Sequence, residues 1–356
     1  MKSRRTSLCR LTLLTVSFAS YLVYVMATAR PVHATVPGTN GQIAYTQGDP
    51  NANGFIAQIW VANPDGSHQL QVPLGNPVEF FSQAMWSPDG TKLLISHTAR
   101  PDNTGQCCLF QPATVNPDGS DFNQLDPPVD DTPEAGGGMN CGAWSGSLDH
   151  PLDQTRLLCG IFPGTFSILA SDGSGATQLA TNPYAATGGS DFPSDISPDG
   201  KRFVFQRFRS AKGPFSTPLP DVQVALFVEN IDGSGLRQIT PYMLAENASA
   251  SWSPDGTKII TNMSNGAGGT ANRLVIVNLN GRGVTPINLQ AGTQKYSAFA
   301  PAWSPDGTRI IFCMFINGGE GIYTANPDGS GVEQVTFTTD FSNQFDEPNW
   351  GTHPVQ

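Results

Sequence analysis

Apolar residues come in short runs along most of this chain. Ile43-Ala44-Tyr45, Ile59-Trp60-Val61, Leu93-Leu94-Ile95, Leu226-Phe227-Val228, Leu274-Val275-Ile276-Val277 and Ile322-Tyr323-Thr324 are each three or four residues long, with Gly, Pro, Asn and Asp between them. Runs this short, rich in β-branched and aromatic residues and bounded by turn formers, predict strands. Two turn sequences recur. Trp-Ser-Pro-Asp-Gly-Thr stands at 86–91, 252–257 and 303–308, and Ile196-Ser197-Pro198-Asp199-Gly200-Lys201 is a fourth copy. Proline presets φ at the second turn position, and glycine takes the left-handed position that a Cβ would make costly. Each copy therefore predicts strand, tight turn, strand. The second turn is Asn63-Pro64-Asp65-Gly66-Ser67, repeated at 116–120 and 326–330 and shortened at Asp172-Gly173-Ser174, Asp232-Gly233-Ser234 and Asn280-Gly281. Because the Asp recurs with the turn, it reads as turn chemistry rather than calcium coordination.

Together the two turns define a four-stranded unit, written here a, b, c, d. Its anchors are Trp86, Trp144, Ile196, Trp252, Trp303 and Trp350, spaced 47 to 58 residues apart. That spacing matches one blade of a β-propeller with its loops. The fold class expected is all-β: a six-bladed propeller with four antiparallel strands per blade. The anchor tryptophans are expected to pack between blades, each contributing up to roughly 4–6 kcal/mol by area. Two copies are worn: Trp144-Ser145-Gly146-Ser147 lacks Pro-Asp-Gly, and Ile196 replaces Trp. The repeat begins on a strand b, residues 41–45, and ends on a strand a, 347–351. One blade is thus shared, and the C-terminal strand closes the ring beside the N-terminal ones.

This repeat resembles that of the TolB-type propellers, found in the periplasmic Tol–Pal component and in prolyl-oligopeptidase-like enzymes. The likeness spans 41–351 and implies the fold rather than an activity, since the fold hosts several. TolB itself carries a further N-terminal α/β domain. About six residues separate the expected cleavage site from the first strand, so that domain and the hydrolase domain of the peptidases are expected to be absent.

Composition adds a compartment and a charge. Gly (38) and Pro (29) make nearly a fifth of the 356 residues, while charged residues are 13%. That balance suits turns and short strands. Lys2, Arg4, Arg5 and Arg10 precede an apolar run from Leu11 to Ala27, and Val32-His33-Ala34 is a small-residue cleavage pattern. Residues 1–34 are read as a signal peptide and 35–356 as one propeller domain, extracytoplasmic and monomeric. The alternative is an uncleaved N-terminal membrane anchor. Beyond the leader, 14 basic residues face 29 acidic ones. A net charge of −15 disfavours nucleic acid and anionic membrane surfaces, and membrane insertion after cleavage is not expected. Of Cys107, Cys108, Cys141, Cys159 and Cys313, an odd number, Cys141 and Cys159 flank Trp144 on neighbouring strands. Either they are bridged or both are buried thiols.

Strand alternation places the a–b and c–d turns on one face and the b–c and d–a connections on the other. The irregular segments 47–57, 97–109, 126–142, 181–194, 208–222, 241–250, 290–300 and 338–347 share the second face, where binding is expected. Its candidate residues are Asp130, Asp131 and Glu134 in an acidic loop, and Asp191, Asp195, Asp340, Asp346 and Glu347 near the channel mouth. They suit a cation or a basic partner, or else form a solvated acidic rim. Arg207-Phe208-Arg209 begins the basic cluster, and Phe80, Phe81, Phe208, Phe215 and Phe299 are candidate anchors or core. Asn247 and Asn262 head glycosylation patterns. No nucleophile elbow, His-Glu-x-x-His or phosphate loop occurs. His68, His97, His150 and His353 are too scattered for a metal cluster, so no catalytic residue, metal or cofactor is assigned. The expected partner is a protein or cell-envelope component, with a carbohydrate ligand as the alternative.

Overall fold

The computed structural model describes residues 38–48, 57–75, 80–98, 111–125, 139–145, 155–161, 165–175, 177–179, 190–209, 223–242, 249–264, 272–279, 283–292, 295–340 and 345–356. All belong to one compact unit, His33–Gln356. They form 24 strands in six four-stranded antiparallel sheets, and no helix occurs among them. Blade 2 contains β4 (Phe80–Trp86), β5 (Leu93–Thr98), β6 (Gln111–Val115) and β7 (Asn123–Gln124). Blade 3 contains β8 (Met139–Ser145), β9 (Arg156–Ile161), β10 (Thr165–Ala170) and β11 (Thr177–Gln178). Blade 4 holds β12 (Ser190–Ile196), β13 (Arg202–Arg209), β14 (Gln223–Asn230) and β15 (Arg237–Gln238). In blade 5 are β16 (Ala250–Trp252), β17 (Lys258–Ser264), β18 (Asn272–Asn278) and β19 (Gly283–Pro286). Blade 6 is β20 (Ser297–Trp303), β21 (Ile310–Ile316), β22 (Gly319–Ala325) and β23 (Glu333–Thr338).

Blade 1 is composite. Its inner strand is β24 (Phe345–Trp350), hydrogen-bonded to β1 (Ile43–Gly48), followed by β2 (Ala57–Ala62) and β3 (Leu70–Gln71). The expected shared blade is therefore present. The tail beyond β24 takes the place of the Ser-Pro-Asp-Gly turn that closes this hairpin in blades 2, 4, 5 and 6. Gly41 N donates to Gly351 O at 2.9 Å, and Gln42 N to His353 O at 2.7 Å. The His353 ring stacks on Trp86 at 4.8 Å, and the Asn63 amide clasps the backbone N and O of Gln356.

The anchors pack as the repeat implies. Each is buried against the sheet of the preceding blade: Trp86 with Ile59 and Val61, Trp144 with Leu94 and Leu125, Ile196 with Leu158 and Phe166. Likewise Trp252 meets Val204 and Leu226, Trp303 meets Ile260 and Leu274, and Trp350 meets Ile311 and Ile322. One bladeful of apolar side chains is thus covered by the next, which is how a ring of thin sheets makes a continuous core. Cys141 and Cys159, directly paired across β8 and β9, form a disulfide, while Cys313 is a buried thiol. Closing that 18-residue separation contributes about 3 kcal/mol in the chain-entropy picture.

The inner turns also touch around the ring. A Cβ on Gly307 (φ 71°) would meet Pro254 of the preceding turn at 3.4 Å, and one on Gly256 (φ 66°) would meet Pro198 at 3.5 Å. Gly307→Val is expected to cost at least the left-handed penalty of about 1–2 kcal/mol. It should lower the urea midpoint without changing the slope. An unchanged midpoint would refute the turn assignment.

Candidate functional site

The repeated turns dispose of their own charges. Asp89 accepts from the Ser87 hydroxyl (2.7 Å), Thr91 N (3.0 Å) and the Thr91 hydroxyl (2.8 Å). Asp255 and Asp306 repeat this with Ser253 and Thr257, and with Ser304 and Thr308. In the outer turns, the Ser hydroxyl and then its N–H hold Asp65, Asp118, Asp232 and Asp328 below the usual carboxylate range. These carboxylates serve the turn that carries them.

The carboxylates that serve no Pro-Asp-Gly turn lie elsewhere. The inner strands β4, β8, β12, β16, β20 and β24 surround a central cavity of about 370 Å³. Counting back from each anchor gives its construction. The residues three before the anchors are Gln83, Cys141, Pro193, Ser249, Ala300 and Glu347, and all but Cys141 line the cavity. The residues one before are Met85, Ala143, Asp195, Ser251, Ala302 and Asn349, and all but Ala143 line it. β-Bulges displace the register in β4, β8, β12 and β20 just before the anchor. At Gln83, Ala300 and Glu347, in the consecutive blades 2, 6 and 1, φ is positive at 54°, 48° and 47°. Left-handed backbone at non-glycine residues costs about 1 kcal/mol or more and is held only where the surroundings impose it.

Among the described residues, two carboxylates line this cavity and no Lys, Arg or His does. Glu347 Oε1 accepts from Gln83 Nε2 at 3.3 Å. Asp195 is bound into the seam between blades 4 and 5. It accepts from Ile196 N at 2.8 Å and Trp252 N at 2.7 Å, with the Ser251 hydroxyl a third donor. Burial pushes its carboxyl up to about 7 against these hydrogen bonds. Asn349 occupies the same position in blade 1 and accepts from Trp86 N at 3.0 Å. Phe192 and Phe208 meet edge to face, 5.2 Å between centroids, on the cavity wall.

Of the expected site residues, Glu347 and Phe208 reach this cavity, as does Asp195. Neither Phe208 nor Glu347 is on a loop: Phe208 is in β13, and Glu347, like Asp346, is in β24. Asp191 is corrected more sharply. It lies in β12, directly paired with Arg207, and is closed off from solvent. The Arg207 guanidinium binds it through Nε (3.0 and 3.2 Å) and Nη2 (2.7 Å), and rests over the rings of Phe205 and Phe227. Inner strands thus begin upstream of the expected loop ends, because a bulge breaks the two-residue alternation that marks a strand. Asp340 is exposed just after β23. Phe81 and Phe299 are core residues, 0% and 8% exposed. Asn262 is buried in β17, so its glycosylation pattern is inaccessible. Asp130, Asp131, Glu134, Phe215, Cys107, Cys108, His150 and Asn247 lie outside the described residues. Among the described residues there is no group of His, Cys, Asp and Glu able to hold a metal, and no helix long and apolar enough to cross a membrane.

The class so defined is a six-bladed β-propeller whose central cavity carries, among the described residues, the carboxylates of Asp195 and Glu347. No protein-family model matches the chain. Among solved structures, TolB from Acinetobacter baumannii is similar at a TM-score of 0.60 and 14% identity, over 92% of this chain and 70% of that one. A putative TolB from Agrobacterium tumefaciens gives 0.55 and 18%, over 86% and 92%. A chain of a nidogen–laminin complex gives 0.57 and 9%, over 88% and 100%. At identities this low the likeness shows the fold alone, a TolB-like propeller.

Proposed function

We propose that this chain is an exported, monomeric propeller that works as a non-enzymatic binding module. It engages a protein or cell-envelope partner through the face of its irregular loops. The observation that supports this reading is the division of carboxylates. Those of the repeated turns are consumed by their own Ser and Thr donors, while Glu347 and Asp195 sit in the cavity that the inner strands enclose. A similar fold in a chain of a nidogen–laminin complex is consistent with recognition as a use of such a ring. Export rests on the basic-then-apolar N-terminal segment.

Affinity capture from the native envelope tests the reading. The Asp130→Ala/Asp131→Ala/Glu134→Ala variant should melt within the range of ordinary surface substitutions, about 0.5 kcal/mol. It should capture markedly less partner. Equal capture by variant and wild type would remove the acidic loop from the interface.

A carbohydrate-active enzyme or lectin is the second reading. It draws on Asp195, whose carboxyl titrates near neutrality in the same cavity as Glu347. Against a catalytic role, both Asp195 oxygens already accept backbone N–H groups. A glycan array run beside the capture separates the two.

A further inference from the structure

Resting on the binding-module reading and deepening its cell-envelope side, we propose that the central cavity receives one neutral sugar ring, as a free sugar or as the end of a glycan. Three observations converge. The first is the hydrogen-bonding character of the wall. Among the described residues it includes Gln83, Ser194, Gln206, Ser249, Ser251 and Asn349. Amides and hydroxyls both donate and accept, as each hydroxyl of a sugar does. The two carboxylates are held within the wall: Asp195 accepts two backbone N–H groups and Glu347 accepts the Gln83 amide. They set the sign of what can enter, because an acidic sugar would bring its own carboxylate beside them.

The second is an aromatic corner. Phe192 and Phe208 meet edge to face, 5.2 Å between centroids, and both line the cavity half-buried. A pyranose is amphipathic, with a C–H face that packs on apolar surface and a rim of hydroxyls. Counted from their anchors, Phe192 stands four residues back in blade 4, and Gln83 and Ser249 three back in blades 2 and 5. An apolar wall and polar groups thus stand at nearly one level of the channel, which is what such a ring requires. The third is the Ser249 hydroxyl, which is closed off from solvent and has no hydrogen-bond partner. A buried polar atom in that state calls for a partner, and a serine hydroxyl turns about χ1 to meet one. Left-handed backbone at Gln83 and Ala300 stores strain in the same wall, as ligand sites do. The volume, about 370 Å³, is at the lower end for ligand pockets and suits one ring rather than a chain of them.

The test uses the full chain, titrated by calorimetry with glucose, galactose, N-acetylglucosamine and glucuronate. Fluorescence of Trp86, Trp144, Trp303 and Trp350, which all line the cavity, is the second readout. At least one neutral sugar should bind saturably, with a Kd of about 1 mM or tighter. Glucuronate should bind about tenfold more weakly than the best of them. Ser249→Ala should weaken that sugar about three- to tenfold, the loss of one hydrogen bond. It should melt no lower than wild type, since it removes an unpartnered hydroxyl. Phe208→Leu should weaken the sugar too, while keeping an apolar residue in the wall. Envelope capture repeated with the sugar present tells the sources apart: loss of capture identifies a glycan end, and unchanged capture a free sugar. No binding by any of the three neutral sugars, glucuronate binding as tightly as the best, or undiminished affinity in Ser249→Ala would each overturn the proposal. Capture that depends on Asp130, Asp131 and Glu134 judges the binding-module reading separately, whichever way the sugars behave.

Discussion

A chain lacking residues 345–356 should show no cooperative thermal unfolding transition. β24 supplies the inner strand of blade 1, the only blade drawn from both ends of the chain. Without it β1 keeps only β2 as a ladder partner, and the inner edge of that sheet lies open. Phe345 and Trp350 are 2% and 4% exposed, in the cluster that joins blade 1 to Ile311 and Ile322 of blade 6. Truncating one large buried aromatic costs about 3–5 kcal/mol, and a domain has about 5–15 kcal/mol in all. Losing both, with the His353 and Gln356 contacts, should leave an open and aggregating ribbon. Circular dichroism on heating and size-exclusion chromatography report it. Adding the peptide 345–356 should restore a transition whose midpoint rises with peptide concentration. A truncated chain that melts cooperatively within a few degrees of wild type would show that ring closure is not what holds the blades. Gly351→Ala is the point version, because a Cβ there would lie 2.2 Å from Trp86 Cγ.

The ring was legible in the sequence because its signals are local. Ser-Pro-Asp-Gly names its own turn, Trp86 and Trp303 mark their strands, and counting anchors counts blades. The composite blade followed from which strand came first and which last. The cavity was harder to read. Gln83, Ser249, Ala300 and Glu347 share neither chemistry nor neighbours, and bulges interrupt the alternation that would have shown them on one face. A signal was nevertheless present: each stands three residues before its anchor. Lining up the anchors, instead of asking which segments fail to repeat, would have placed Gln83 beside Glu347. Asp191 failed for the opposite reason. An acidic residue in an irregular stretch reads as surface, and only the pairing of β12 with β13 shows that Arg207 meets it.

Arg207→Met should be the most damaging single change in blade 4, and more damaging as pH rises. Arg207 and Asp191 are both buried, with side chains 5% and 0% exposed, and joined by three N–H···O contacts. Glu229, 2% exposed, lies within the field of the same guanidinium. Burial pushes both carboxyls up, and Arg207 opposes it in each case. Removing the cation removes that opposition, so both should rise further. Breaking a buried pair from one side costs about 3–5 kcal/mol, most of it the charge left behind. The sign of the pH dependence follows. Between the unfolded carboxylate value of about 4 and the raised folded value, the folded state binds more protons than the unfolded one. Stability of the variant therefore falls as pH rises through that window, and the deficit is smaller at pH 5 than at pH 8. Asp191→Leu added to Arg207→Met should recover most of the loss at pH 8, because it removes a buried charge rather than a contact. Glu229→Gln on top of both should flatten the remaining slope. Urea midpoints for the four proteins at the two pH values check every step. If the single variant loses as much at pH 5 as at pH 8, or the double variant is no more stable than the single, the pair is packing material and its charges are incidental.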